Sequence, residues 1–171
     1  MFGGKSMKTQ NAYFIIWDSS KKNFNNIYDD IERKTIVRSK KIIEIKNYYD
    51  LICDIYEFNN QRKLGEYKAT KMCNNSKFEI MILEVEFCSK ESNDFSLVKS
   101  LKTNIRNLYK FTTDNYFHDN IIHGTDSFAE YKHIKKIVDN IINYQWSLVK
   151  FNLVTKPKNI KLNFINLFIA I

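Results

Sequence analysis

One stretch restricts the fold more than any other: Phe78-Glu79-Ile80-Met81-Ile82-Leu83-Glu84-Val85-Glu86-Phe87. Its centre is apolar without interruption and its later half alternates, so it reads as a core strand. Ala12-Tyr13-Phe14-Ile15-Ile16-Trp17 is a second compact apolar run, best accommodated as a central strand, and Asp18-Ser19-Ser20 stops it. With only 4 Gly and 1 Pro in 171 residues, most of the chain should be regular structure.

Helical spacing separates these strands. Phe24, Ile27, Tyr28 and Ile31 define a first helix, and Tyr48, Leu51, Ile52, Ile55 and Tyr56 another over Asn47 to Phe58. Thr35 to Ile45 reads as a strand that Arg38 to Lys41 interrupts. Asn59 to Lys77 is polar, has one Gly and shows no clear element. Phe95, Val98, Leu101, Ile105 and Leu108 predict a helix over Asp94 to Tyr109, followed by a polar and aromatic loop to Asp119. Asn120 to His123 is a short strand. Phe128, Tyr131, Ile134, Ile137, Val138, Ile141 and Ile142 form the stripe of a long helix over Ser127 to Tyr144. Alternating strands and helices predict an α/β sandwich, a four-stranded sheet covered by helices. The expected organisation is a disordered lead-in over 1–10, one domain over 11–144, and a C-terminal extension over 145–171 packing on the domain or a partner.

The formal net charge of +8 favours anionic partners. The basic residues, however, are mostly Lys scattered among Asp and Glu, and Arg occurs only at Arg33, Arg38, Arg62 and Arg106. Nucleic acid is therefore not indicated. Cys53, Cys73 and Cys88 are odd in number and widely spaced, which argues against a disulfide framework or zinc ribbon and for reduced thiols in a cytoplasmic setting. Met1 to Gln10 lacks an apolar signal core, and no run reaches membrane-spanning length. The apolar Phe164 to Ile171 either closes over the sheet or makes the chain a homo-oligomer.

Candidate chemistry centres on Asp119 to Ser127. Ile121 and Ile122 suit a buried strand. Gly124 is expected to permit a backbone bend. Thr125, Asp126 or Ser127 can cap the next helix, and Ser127-Phe-Ala-Glu130 matches a capping box. His123 then sits at a strand end beside a helix start, where anions are favoured. It is either an imidazole at a phosphate site or a buried structural histidine. Asp126 either caps the helix or orients His123 for acid–base work. His118 and His133 lack metal-ligand spacing with His123, so no resident metal is expected.

Asn120-Ile-Ile-His123-Gly-Thr125-Asp126-Ser127 resembles the active-site signature of nucleoside diphosphate kinases, Asn-x-x-His-Gly-Ser-Asp-Ser, with Thr125 for serine. Ile105-Arg106 resembles the family's Ile-Arg-Gly after a helix, and Phe14 to Asp18 its first strand. The resemblance in order covers roughly residues 11–144. It implies a ferredoxin-like α/β domain and ping-pong phosphotransfer from nucleoside triphosphate to diphosphate, with magnesium on the nucleotide. His123 would be the nucleophile that becomes a phosphohistidine. Arg106 would hold phosphate, Asn120 and Thr125 would line the nucleotide site, and Asp126, Ser127 and Glu130 would support them.

Several positions depart from the family pattern. Ile16 and Trp17 stand where the family has Lys-Pro, and isoleucine cannot meet phosphate. No second phosphate arginine is evident, although Lys99 or Lys102 lies near that place. Ile134 occupies the position of the glutamate that orients the histidine, with Glu130 one turn earlier. The segment from Arg106 to His123 is longer than the family's. Two further readings stay open: an inactive member of the same fold that binds a nucleotide or a protein, and an unrelated α/β domain.

Overall fold

A computed structural model describes residues 7–72, 78–117 and 120–155, with backbone only over 144–155. The start of the lead-in, Cys73, His118, Asp119 and the apolar Phe164 to Ile171 lie outside the described residues. By compactness the chain divides into residues 1–137 and 138–171.

The first unit holds all four strands. β1 is Lys8–Ile16, β2 Ile36–Ile45, β3 Phe78–Ser89 and β4 Ile122–Gly124. A 3-10 segment, Asp18–Asn23, leads into α1, Phe24–Glu32. α2, Tyr48–Glu57, and α3, Arg62–Met72, form a hairpin between β2 and β3. α4, Ser96–Tyr109, joins β3 to β4, and α5, Phe128–Thr155, follows. Of the second unit, the described part is the continuation of α5.

The sheet runs β2-β3-β1-β4 with every neighbouring pair antiparallel. Each β-α-β connection thus skips one strand, which makes the architecture an α+β, ferredoxin-like sandwich. β1 pairs with β3 without a break from Lys8 opposite Ser89 to Ile16 opposite Met81. β2 pairs with β3 through an irregularity between Val37 and Ser39.

The alternation of a strand sorts its side chains to two faces. Phe14, Ile16, Met81, Leu83, Val85 and Ile122 pack with Phe24, Ile27, Ile31, Val98, Leu101 and Ile105 in one apolar cluster. The opposite face carries Tyr13, Ile15, Trp17, Ile80, Ile82 and His123. Tyr13 stacks on Tyr131, and Tyr48 stacks on Phe78 while meeting Trp17 edge-on.

Two expectations need correction. Residues 8–10 are not part of a disordered lead-in but the outer end of β1, opposite Phe87 to Ser89. Their polar side chains hide a strand whose backbone is paired, and Gln10 ties it down by accepting from the Asn93 N–H at 2.9 Å. The segment without a clear element contains α3. It buries Gly65, Lys68 and Ala69 rather than an apolar stripe, so helical periodicity could not reveal it. A Cβ on Gly65 would stand 2.9 Å from Tyr56 Cβ and 3.1 Å from Cys53 Cα, so glycine sets how closely α3 lies on α2.

Candidate active site

β4 places the histidine by parity. Ile15 faces His123 and Phe14 faces Gly124 across the β1–β4 ladder. Directly opposed residues share a face, so His123 joins the aromatic face and Gly124 turns to the apolar cluster. A Cβ at Gly124 would lie 2.9 Å from the Phe14 ring and 3.2 Å from Val98. Gly124 has no positive φ. The glycine is therefore required for close packing, not for the bend expected from sequence.

Thr125 is wholly buried and extends the ladder by one residue. Its N–H donates to the Tyr13 carbonyl at 3.1 Å, and its hydroxyl accepts from the Tyr13 N–H at 3.2 Å. A hydroxyl thus stands in for a backbone carbonyl, and Thr125 is not brought to the pocket beside His123.

The start of α5 supplies the carboxylate. Ser127 Oγ accepts from the Glu130 N–H at 3.1 Å, half of the expected capping box. The other half is shifted by one residue: Glu130 Oε2 accepts from the Asp126 N–H at 2.6 Å. This grip leaves Glu130 Oε1 3.3 Å from His123 Nε2. That approach is within ion-pair reach. Burial pushes the Glu130 carboxyl up; His123, the Asp126 N–H and the Lys102 charge outweigh it and hold the carboxyl below its ordinary value. Asp126 instead pairs with Lys102 at 2.7 Å, so the carboxylate against the imidazole is Glu130.

Two cations brace the carbonyls around the histidine. An Arg106 Nη donates to the Ile122 carbonyl at 2.9 Å, and Lys102 Nζ donates to the Gly124 carbonyl at 3.2 Å. Both line a pocket of about 190 Å³ together with His123, Asp126, Glu130 and, from the α2–α3 hairpin, Tyr56 and Lys68. Three cationic side chains and two carboxylates thus surround one imidazole. The cavity is smaller than the ~300–1,000 Å³ typical of a site that encloses a whole small molecule. Its charge suits a phosphate-sized anion whose remainder lies outside.

The sequence candidates separate accordingly. His123, Arg106, Asp126 and Glu130 meet in this pocket, and Ser127 supports it through the cap. Asn120 lines a different, smaller cavity and organises the preceding loop. Its amide donates to the Asn115 carbonyl at 3.0 Å and accepts from the Phe117 N–H at 3.1 Å. His133 lies 2.8 Å from the Asp54 carbonyl, a structural position. Ile16, where the family resemblance expects lysine, belongs to the apolar cluster. Among the described residues, no group of three or more His, Cys, Asp or Glu could hold a resident metal. The two carboxylates of the pocket, Asp126 and Glu130, are engaged by Lys102 and by the Asp126 N–H, so they do not form a magnesium site of their own.

Sequence reasoning missed Tyr56 and Lys68 as site residues. The Tyr56 ring meets the His123 ring edge-to-face, centroids 5.4 Å apart. The available signal was the pattern Gly65-x-x-Lys68-Ala69, a narrow i, i+3, i+4 face of small residues with one lysine set into it.

The sequence matches no family model and no curated protein. Among solved structures, the chain is similar to the nucleoside diphosphate kinase of Borrelia burgdorferi, solved with vanadate and ADP as a transition-state mimic. Identity is 13%, coverage 73% of this chain and 83% of that one, and the TM-score 0.50. It is also similar to the Aquifex aeolicus nucleoside diphosphate kinase, with 14% identity, coverage of 74% and 92%, and a TM-score of 0.49. The chain thus shares the fold of nucleoside diphosphate kinases.

Proposed function

We propose that the chain is a nucleoside diphosphate kinase-like phosphotransferase acting through a phosphohistidine at His123. The observation that carries this reading is the meeting of His123, Glu130, Arg106 and Lys102 at one pocket, on the face of β4 that its register selects. Glu130 beside Nε2 favours a proton on that nitrogen and leaves the lone pair on Nδ1. Nδ1 attacks the terminal phosphorus of a nucleoside triphosphate. An N–P bond forms, the bond from phosphorus to the bridging oxygen breaks, and the diphosphate leaves with that electron pair. The reverse step delivers the phosphoryl group to another diphosphate. Arg106 and Lys102 supply positive charge where negative charge accumulates. Magnesium arrives on the phosphates of the substrate and shares that charge. The ADP and vanadate of the Borrelia structure are the ligand types this site would receive.

A second reading is favoured by Ile16. Its place in the dry cluster removes the family's lysine, which suits a domain that binds nucleotide without transfer. One experiment separates the two: incubation with radiolabelled ATP and magnesium, scoring acid-labile label on wild type and His123→Ala. Transfer requires label on wild type only, chased off by an added nucleoside diphosphate. A nucleotide-induced rise in Tm with no label supports the binding module.

A further inference from the structure

We infer that Asp126 is a built-in competitor for the substrate's phosphate: it neutralises Lys102 until an anion enters the pocket, and then yields that cation to it. The inference rests on the phosphate-site reading of the pocket around His123. Lys102 and Arg106 lie one turn apart on α4, so both side chains leave the same face of the helix. Each reaches a carbonyl of β4, Gly124 at 3.2 Å for Lys102 and Ile122 at 2.9 Å for Arg106. These bonds hold the cations against the strand that carries His123. Lys102 also meets the Asp126 carboxylate at 2.7 Å.

The pair is uneven. The Lys102 side chain is 13% exposed and that of Asp126 44%, so the lysine is held in the pocket while the aspartate reaches it from the rim. An ion pair with one partner this open to water is screened and contributes little, so exchanging it is cheap. A freed Asp126 carboxylate is rehydrated at the rim, whereas a phosphate oxygen takes its place on Lys102 as a charge-assisted acceptor. The helix start does not need the carboxylate either. Ser127 Oγ accepts from the Glu130 N–H, and Glu130 Oε2 holds the Asp126 N–H at 2.6 Å, so the backbone stays while the side chain turns away. The Gly124 carbonyl already orients Lys102, which leaves Asp126 as a rival of the anion rather than its usher. Such a rival lowers the affinity for phosphate and hastens its departure. A transfer that runs in two halves through one pocket requires that departure, because each diphosphate must leave before the next arrives.

The test uses Asp126→Asn and Asp126→Ala in the full chain, with inorganic pyrophosphate as the probe in calorimetry. Both variants should bind pyrophosphate about 2- to 5-fold more tightly than wild type, the range set by removing one partly exposed ion pair, and mainly through slower dissociation. The gain should vanish in a Lys102→Met background, because the competition acts through that lysine. Removing any negative charge from the pocket would instead help an anion with or without Lys102. A gain of full size in the Lys102→Met background therefore overturns the inference. Unchanged or weaker binding by the folded variants overturns it too, as does a lowered ligand-free Tm with wild-type affinity, the mark of a merely structural aspartate. Absence of binding by wild type and Asp126→Asn alike strikes the phosphate-site reading itself, and the inference falls with it. Phosphohistidine labelling is scored in parallel. Tighter binding by the variants with no label on wild type keeps the competitor and sinks the transfer reading.

Discussion

The two faces of the central sheet use the same strands differently. Toward α1 and α4, Phe14, Ile16, Leu83 and Ile122 belong to one apolar cluster. Toward the hairpin and α5, the neighbouring residues are Tyr13, Ile15, Trp17 and His123, with Tyr48, Tyr56, Lys68, Glu130 and Tyr131 nearby. Many of these are large side chains with a polar tip. One face is built mainly from dispersion and apolar burial, while the other also holds polar groups that need partners. Trp17 illustrates that second face, a wholly buried ring that meets Tyr48 edge-on and carries an indole N–H. His123 and Gly124 are adjacent in sequence and lie on opposite sides of this division, so substitutions there should separate chemistry from stability.

The largest effect expected is on the chemistry alone. His123→Ala should abolish acid-labile labelling from ATP while the protein retains a cooperative thermal transition. Unchanged labelling in the variant would mean that the phosphoryl group sits elsewhere. On the other face, Phe14→Ala should give the greatest loss of stability. Its side chain is fully buried, and truncating such a phenylalanine typically costs about 3–5 kcal/mol. Denaturant unfolding checks this. A smaller cost would mean that the cluster collapses around the missing ring.

Gly124→Ala probes the junction of the two faces. The added methyl would come within 2.9 Å of the Phe14 ring, and overpacking of this kind costs about 1–3 kcal/mol. The strain falls on the apolar face, so unfolding should shift to lower denaturant while the pyrophosphate affinity of the folded fraction holds. Loss of affinity without loss of stability would show that His123 shifts when its neighbour is pushed.

Much of this division was legible in the sequence, for a physical reason. Residues 12–16 of β1 and 80–83 of β3 are apolar runs because both faces of the central strands are covered there, and α1, α2 and α4 show ordinary apolar stripes. The short strand ending at His123 was visible through its β-branched residues. What the sequence hid lies where polar or small residues take the place of apolar ones. α3 packs through Gly65 and Ala69, and the start of β1 is held by backbone pairing and Gln10. The site was legible along β4 and α5, where its residues are close in sequence. Tyr56 and Lys68 enter from a hairpin more than fifty residues earlier, and only the folded chain brings them to His123.

The smallest effect expected concerns Glu130 in acid, and it tests whether the polar face contributes stability of its own. In the folded protein His123, the Asp126 N–H and Lys102 together outweigh burial and hold the Glu130 carboxyl below its ordinary value of 4.5. A carboxyl lowered on folding binds its proton more readily in the unfolded chain. Its contribution is therefore fully present above the unfolded value and falls away as pH drops through the folded one. Stability of the wild type should accordingly decline across that acid window by more than that of Glu130→Gln, which has no proton to gain there. Denaturant midpoints measured for both proteins from pH 6 to pH 3 would show the two curves converging in acid, where both side chains are neutral. Parallel curves would mean that the Glu130–His123 contact is stability-neutral. The carboxylate would then act only in holding the imidazole, and the polar face would owe its stability to its aromatic packing alone.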